Sequence, residues 1–212
     1  MNIFLFGDSI TYGTGDHEGG WANRIRKFVD QKILSSENEE YHPFVYNLGI
    51  PGERSNYLLE RFDHDVLARS RREKECAVVI SIGTNDSQFS NTEKTFNIPP
   101  ELFEKNLNEL IALARKVTPR IIFIGLLPCD DIKMDPIPWL PEKSYKTEFI
   151  CRYNQIAVKV CLEQLIGFID LFEDFSNRDY LSLLEEGIHP NDEGHRIIFE
   201  KVKDALVKLS WI

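Results

Sequence analysis

Five runs of apolar residues alternate along the chain with segments whose apolar residues recur every three or four positions. The runs occupy residues 3–6, 44–48, 77–82, 121–127 and 168–171. They are continuous rather than alternating, which is typical of parallel β-strands covered on both faces. The intervening segments have the spacing of amphipathic helices, as in Phe103, Leu107, Leu110 and Ala114. This order predicts an α/β protein with a three-layer α/β/α architecture, a five-stranded parallel sheet and right-handed crossovers.

Nothing in the sequence divides the chain into parts. It has no internal repeat, low-complexity tract or linker, so we expect the 212 residues to form a single domain over 1–212. Two segments, 83–99 and 128–141, lack clear periodicity although each follows a predicted strand. Such long loops are usually functional in a compact domain. Open α/β sheets bind ligands at the carboxyl ends of their strands, so we expect the site there.

Charge and cysteine content exclude several classes of function. The chain has 34 acidic and 25 basic residues, a net charge of −9, which argues against binding to nucleic acid or to an anionic membrane. The longest apolar run, residues 121–127, is far shorter than the ~20 residues of a membrane span, and the first residues lack the basic region of a signal peptide. The four cysteines form no zinc-binding or redox pattern. Free thiols of this kind are typical of a reducing compartment, so we expect a cytoplasmic protein.

Residues able to carry out chemistry follow the predicted strands. The first strand leads into Ser9 of a Gly-Asp-Ser triplet, the second into Gly49 and the third into Asn85 of a Gly-Thr-Asn-Asp run. His189 lies near the C-terminus, just before the last predicted helix. A nucleophile, a base and hydrogen-bond donors are the groups that acyl transfer requires.

Together and in this order, the four blocks resemble those of the SGNH hydrolases, the GDSL-type esterases and lipases. The resemblance spans nearly the whole chain and implies the flavodoxin-like SGNH-hydrolase fold. It implies a serine esterase that forms an acyl-enzyme on Ser9, with His189 as general base. It further implies an oxyanion hole formed by the N–H groups of Ser9 and Gly49 and the side-chain amide of Asn85. Neither a cofactor nor a metal ion is implied.

The chain departs from the family at the acidic partner of the histidine. The family has an aspartate three residues before the histidine, where this chain has Glu186. Its carboxylate can hold the imidazole in the required tautomer but is one methylene longer, and Glu185 beside it is a rival. A Ser–His dyad without an acid is the other alternative. Asp8 and Asp86 are expected to support their turns by accepting local N–H bonds.

Three other functions agree less well with the sequence than a serine esterase does. A phosphotransferase with Asp8 as nucleophile needs a second aspartate two residues later, where Ile10 stands. The Gly13-Thr14-Gly15 segment lacks the third glycine of a dinucleotide-binding motif. A non-catalytic binding protein on the same fold stays open. Within the family, we expect a small-molecule ester as substrate. Carbohydrate acetylesterase, thioesterase and lysophospholipase activities remain alternatives, and the oligomeric state is open.

Overall fold

A five-stranded parallel sheet forms the centre of the molecule. The computed structural model describes residues 1–35, 43–70 and 75–212. The sheet strands are β1 (Asn2–Gly7), β2 (Phe44–Gly49), β3 (Cys76–Ser81), β6 (Ile121–Ile124) and β8 (Gly167–Ile169). Their spatial order is β2-β1-β3-β6-β8, the flavodoxin-like order. The predicted three-layer fold is therefore confirmed.

Helices cover both faces of this sheet. The longer ones are α2 (Gly20–Ser35), α3 (Ser55–Arg69), α4 (Pro100–Val117), α6 (Thr147–Glu163) and α8 (Asp192–Lys208). Shorter helical segments are α1 (Ser9–Tyr12), α5 (Asp131–Met134), α7 (Phe172–Ser176) and a 3₁₀ turn at Tyr180–Leu183. No helix in the described ranges is long and apolar enough to cross a membrane.

The two faces of the sheet pack into two separate apolar clusters. In β1, Phe4 and Phe6 face the cluster under α3, α4 and α6, whereas Ile3 and Leu5 face the cluster under α2 and α8. Successive side chains of a strand point to opposite faces, so a strand buried on both faces needs apolar residues at every position. This explains the continuous apolar runs.

Two predicted strands end earlier than their apolar runs. The run at 121–127 leaves the sheet after Ile124, and the N–H of Leu126 donates to the side chain of Asn154 at 2.9 Å. The last predicted strand, 168–171, is a strand only over Gly167–Ile169. Residues 125–127 and Leu171 are buried although they lie outside the strands, and an apolar run does not distinguish burial from strand pairing.

A small second sheet lies partly in the long segment 83–99 and partly just beyond the long segment 128–141. It consists of β4 (Phe89–Ser90), β5 (Thr95–Phe96) and β7 (Lys143–Ser144) in the order β5-β4-β7, all antiparallel. Two-residue strands carry no detectable periodicity. This sheet joins the segment after β3 to the segment after β6, next to the carboxyl ends of the central strands.

Candidate active site

Ser9 is the first residue of a single helical turn that follows β1. The Asp8 carboxylate accepts from the N–H of Ile10 at 3.0 Å and caps this turn, and Gly13 ends it with a left-handed φ of 108°. A capped first turn leaves the N–H of its first residue unbonded within the helix. Ser9 therefore presents a hydroxyl and a free N–H at the carboxyl edge of the sheet.

His189 and Glu186 share a tight turn between the 3₁₀ segment and α8. The N–H of Glu185 donates to the carbonyl of His189 at 2.8 Å, and the N–H of Asp130 donates to the carbonyl of Gly187 at 2.8 Å. Gly187 has a φ of +122°, and a Cβ there would lie 3.0 Å from Cε of Met134. A residue with a side chain is strained at this φ and crowded as well.

The structure brings Ser9, His189 and Glu186 into one hydrogen-bonded chain. Nε2 of His189 lies 2.8 Å from Oγ of Ser9, while Nδ1 contacts Oε1 of Glu186. Glu185 is exposed and makes no contact with the imidazole. Burial opposes ionisation of Glu186, but the hydrogen bond and positive charge of His189 outweigh it and hold the pKa of this carboxyl below its usual value. An ionised Glu186 accepts from Nδ1–H, which leaves Nε2 free to accept the proton of Ser9.

Asn85 lies at the opposite side of the site, with its amide held in a defined orientation. Its Oδ1 accepts from the hydroxyl of Tyr145 at 2.6 Å, so its Nδ2 is the donor end. Nδ2 donates to the carbonyl of Glu53 at 3.0 Å and lies 3.4 Å from Oδ2 of Asp8. The backbone carbonyl of Asn85 accepts from Asn97 at 2.9 Å. These bonds leave the amide no freedom to flip.

The structure does not bring Gly49 into the site, which corrects the expected oxyanion hole. The N–H of Gly49 donates to Oδ1 of Asn47 at 3.0 Å, and a Cβ at Gly49 would lie 2.2 Å from the nitrogen of Tyr12. Gly49 is thus a close-packing residue where β2 meets α1. Gly52, three residues later, lines the cleft beside Ser9, and its N–H has no acceptor among the described residues.

The two aspartates beside the site have different partners. Asp8 accepts a local N–H bond, as expected. Asp86 does not; both of its oxygens accept from the N–H of Ser55, at 3.0 and 3.1 Å, and Oδ1 also accepts from the hydroxyl of that serine. Asp86 therefore joins the segments after β2 and β3 rather than supporting its own turn. Burial raises the pKa of Asp8 to about 7 and that of Asp86 to about 6, although hydrogen bonds to each carboxylate favour its charged form.

A cleft of about 400 Å³ opens over Ser9 and His189. Several of its lining residues have no counterpart among the sequence candidates, and they come from the two long segments and from the loop after β2. In the sequence, these lining residues were indicated only by the length of those segments and by their position after strands. The cleft is lined by Ser9, Ile10, Thr14, Pro51, Gly52, Arg54, Thr84, Asn85, Gln88, Asn97, Trp139, Leu140, Lys143, Tyr145, Ile188 and His189.

No metal site is found in the described parts of the chain. No group of three or more His, Cys, Asp or Glu side chains there is arranged to hold an ion. His195 is fully buried. It accepts from the N–H of Trp21 at 3.2 Å, and its other nitrogen lies 3.0 Å from the carbonyl of Thr14. The second histidine of this region therefore has a packing role.

Comparisons with known proteins identify the family of the chain. A model described as the GDSL-like lipase/acylhydrolase family matches residues 5–197. The isoamyl acetate-hydrolyzing esterase 1 homolog of Rattus norvegicus is 24% identical over 212 residues, covering 93% of this chain and 78% of that protein. A lipase/acylhydrolase from Enterococcus faecalis has a similar structure, with a TM-score of 0.75, 24% identity, and coverage of 97% of this chain and 94% of that one. The acetylxylan esterase Axe2 from Geobacillus stearothermophilus has a TM-score of 0.67 at 19% identity, covering 95% and 91%. The chain therefore belongs to the GDSL-like lipase/acylhydrolase family of ester-bond hydrolases.

Proposed function

We propose that this protein is a serine esterase that cleaves small-to-medium acyl esters through an acyl-enzyme on Ser9. The observation that carries the proposal is the contact of 2.8 Å between Oγ of Ser9 and Nε2 of His189, with Nδ1 of the same ring on Glu186. A nucleophile, a base and a group that orients the base are the parts of a catalytic triad, whatever their order along the chain.

The reaction proceeds in two halves. His189 takes the proton of Ser9 as Oγ attacks the ester carbonyl, and the imidazolium then gives that proton to the departing alcohol. Water next attacks the acyl-enzyme, with His189 again as base, and releases the acid and the free serine. Glu186, being ionised, stabilises each imidazolium as it forms.

The oxyanion is proposed to accept hydrogen bonds from the N–H groups of Ser9 and Gly52 and from Nδ2 of Asn85, whose longer bond, 3.4 Å to Asp8, would be exchanged for the one to substrate. Gly52 replaces Gly49 in this role because Gly52 lines the cleft and its N–H has no acceptor among the described residues, whereas the N–H of Gly49 donates to Asn47. Fixed donors stabilise the charge that develops in the transition state without reorganising. The bond from Tyr145 to Asn85 supplies that fixation.

Short acyl groups are proposed as the preferred substrates. The cleft of about 400 Å³ has room for a small ester, and Trp139 and Leu140 form an apolar part of its wall. The relative from Rattus norvegicus is named for isoamyl acetate, itself an ester of a short acid. A cytoplasmic location is also proposed, because Cys129, Cys151 and Cys161 are free thiols, which are typical of a reducing compartment.

The test replaces the nucleophile. Ser9→Ala is expected to lower kcat by several orders of magnitude, since removal of the serine of one triad protease cost on the order of 10⁶. The assay is a panel of 4-nitrophenyl esters from acetate to decanoate, together with acetylxylan, an acyl-CoA and a lysophospholipid. Wild-type Ser9 is also expected to react with a fluorophosphonate probe.

The matched control is Ser35→Ala, which removes an exposed serine at the end of α2. It should keep full activity and labelling. If folded Ser9→Ala kept more than a tenth of the wild-type rate, Ser9 would not be the nucleophile. A wild-type protein that binds esters without turnover would instead support the non-catalytic alternative.

A further inference from the structure

The charge of the catalytic cleft is opposite to that of the whole protein. The chain carries 34 acidic and 25 basic residues. Among the described residues that line the cleft there is no aspartate or glutamate, but there are two cations, Arg54 and Lys143. Glu186 lies behind the imidazole ring of His189, which stands between its carboxylate and Ser9.

Within the described residues, neither cation forms an ion pair with a carboxylate. Arg54 donates to the hydroxyl of Tyr57 at 2.5 Å, and its guanidinium lies 4.5 Å from the centre of that ring. Lys143 donates to Oδ1 of Asn97 at 2.8 Å. Both acceptors are uncharged. Arg61, which is also half-buried, differs because it binds the carboxylates of Glu53 and Asp65.

The carboxyl groups behind the cleft wall are already engaged. Asp86 accepts three hydrogen bonds from Ser55, and the positive charge of Arg54 acts on it from a greater distance. Glu53 is bound by Arg61. Burial raises the pKa of Asp8 to about 7, so this group carries only part of its charge at neutral pH. All three carboxyls are nearly inaccessible, and the two cations, which are half-buried, remain available to a bound molecule.

Lys143 is also held in a fixed position relative to the oxyanion donors. It belongs to β7, which pairs with β4, so its backbone is part of the small sheet. Asn97, which accepts from its ammonium group, donates to the backbone carbonyl of Asn85 at 2.9 Å. A cation fixed to the active-site framework loses little freedom when it binds an anion, which favours specificity.

We propose that the substrate is an ester that carries an anionic group, a carboxylate or a phosphate, and that Arg54 and Lys143 bind this group. The inference rests on the esterase function proposed above and names the class of ester. The two residues act as specificity determinants, since neither contacts Ser9 or His189 through a hydrogen bond in the described structure. Their contribution is expected to fall with ionic strength because they are partly open to solvent.

The test compares esters that differ in charge but hardly in shape. On the alcohol side, 4-acetoxybenzoate is compared with 4-acetoxybenzamide, and 4-acetoxyphenyl phosphate extends the comparison to a phosphate. On the acyl side, the 4-nitrophenyl monoester of glutaric acid is compared with its carboxamide analogue, after subtraction of spontaneous hydrolysis. The quantity measured is the ratio of kcat/KM between the charged and the neutral ester.

We expect a ratio of at least about ten in one pair for the wild type, which corresponds to about 1.4 kcal/mol. The pair with this ratio shows whether the anionic group belongs to the alcohol or the acyl part of the ester, and whether it is a carboxylate or a phosphate. Arg54→Gln and Lys143→Gln should each lower the ratio several-fold, and the double variant should bring it near one. Lys146→Gln is the matched control, because Lys146 pairs with Asp135 and does not line the cleft; its ratio should stay at the wild-type value.

A ratio near one for every pair, or a ratio that the double variant leaves unchanged, would overturn the proposal. Both results leave the esterase function standing, because that function is judged by turnover of the neutral esters and its loss in Ser9→Ala. Folding of the Arg54 and Lys143 variants is checked by an unchanged Tm and by labelling of Ser9 with the fluorophosphonate probe. Any loss of rate that the charged and neutral esters share cancels in the ratio.

Discussion

The contact between Glu186 and His189 permits a sharp prediction for Glu186→Gln. The substitution keeps the size of the side chain but removes the negative charge next to the imidazolium. Two unit charges ~4 Å apart interact by about 4 kcal/mol at an effective dielectric of ~20. The Glu186 side chain is 33% exposed, so solvent screens part of this energy. A loss of about 2.7–4 kcal/mol corresponds to roughly 10²–10³ in kcat.

The companion substitution Glu186→Asp tests the length of the side chain. Oε1 of Glu186 is already in hydrogen-bond contact with Nδ1, and the turn through Gly187 is held by the hydrogen bond from the N–H of Asp130 to the carbonyl of Gly187. Aspartate withdraws the carboxylate by about one C–C bond, ~1.5 Å. A displacement of this size can cost ~10²-fold in an active site, so we expect a drop of roughly 10–10².

The assay is steady-state hydrolysis of a 4-nitrophenyl ester, with Glu185→Gln as the matched control. Glu185 carries the same charge one residue earlier but is exposed, so its variant should be nearly silent. The reasoning is refuted if Glu185→Gln is the damaging change and Glu186→Gln is harmless. If neither change matters, His189 works in a dyad.

Three further predictions concern the surroundings of the triad. Asn85→Ala should lower kcat by ~10²–10³ with KM little changed, as for other oxyanion donors; a loss confined to KM would make Asn85 a ground-state binding residue. Gly49→Ala should destabilise the fold by roughly 1–3 kcal/mol, seen as a lower Tm, because its Cβ would lie 2.2 Å from the nitrogen of Tyr12; an unchanged Tm with a large loss of kcat would return Gly49 to the oxyanion hole. The pKa of Asp8 is raised by burial to about 7, whereas an unfolded aspartate has about 3.9. The folded protein therefore holds the extra proton between these values and loses stability as the pH rises through them, by up to ~1.4 kcal/mol per pH unit. Urea unfolding at several pH values should show Asp8→Asn gaining stability relative to wild type from pH ~4 to ~7, and a constant difference would contradict the raised pKa.

The sequence predicted the structure correctly where a local structural requirement can be met by only one kind of residue. The continuous apolar runs predicted the central strands because burial on both faces leaves no polar position. The serine after β1 was placed at the carboxyl edge of the sheet because parallel strands end there, and the histidine before α8 was paired with it by the family resemblance. The structure has the two side chains 2.8 Å apart.

Prediction from the sequence was wrong where several nearby residues could meet the same structural requirement. Gly49 ends β2 and Gly52 lies in the loop that follows, and only the contact of Gly49 with Asn47 shows which N–H is already used. Asp86 was assigned to its own turn because its true partner, Ser55, is 31 positions away. Arg54 and Lys143 were not identified at all, since no local pattern reveals which surface cations face a cleft.

Because the small sheet of β4, β5 and β7 is separate from the central sheet, the two sheets have different roles in the site. The parallel strands and their turns hold the reacting groups, whereas this second sheet carries part of the wall that a substrate meets. Its strands come from two separate segments of the chain, so changes within them can accumulate without moving Ser9 or His189. A cleft wall taken from a relative would nevertheless have to keep two bonds to Asn85, from Asn97 to its carbonyl and from Tyr145 to its side chain. Substitutions that change substrate choice are therefore tolerated along most of the cleft wall, but not at the residues that hold Asn85.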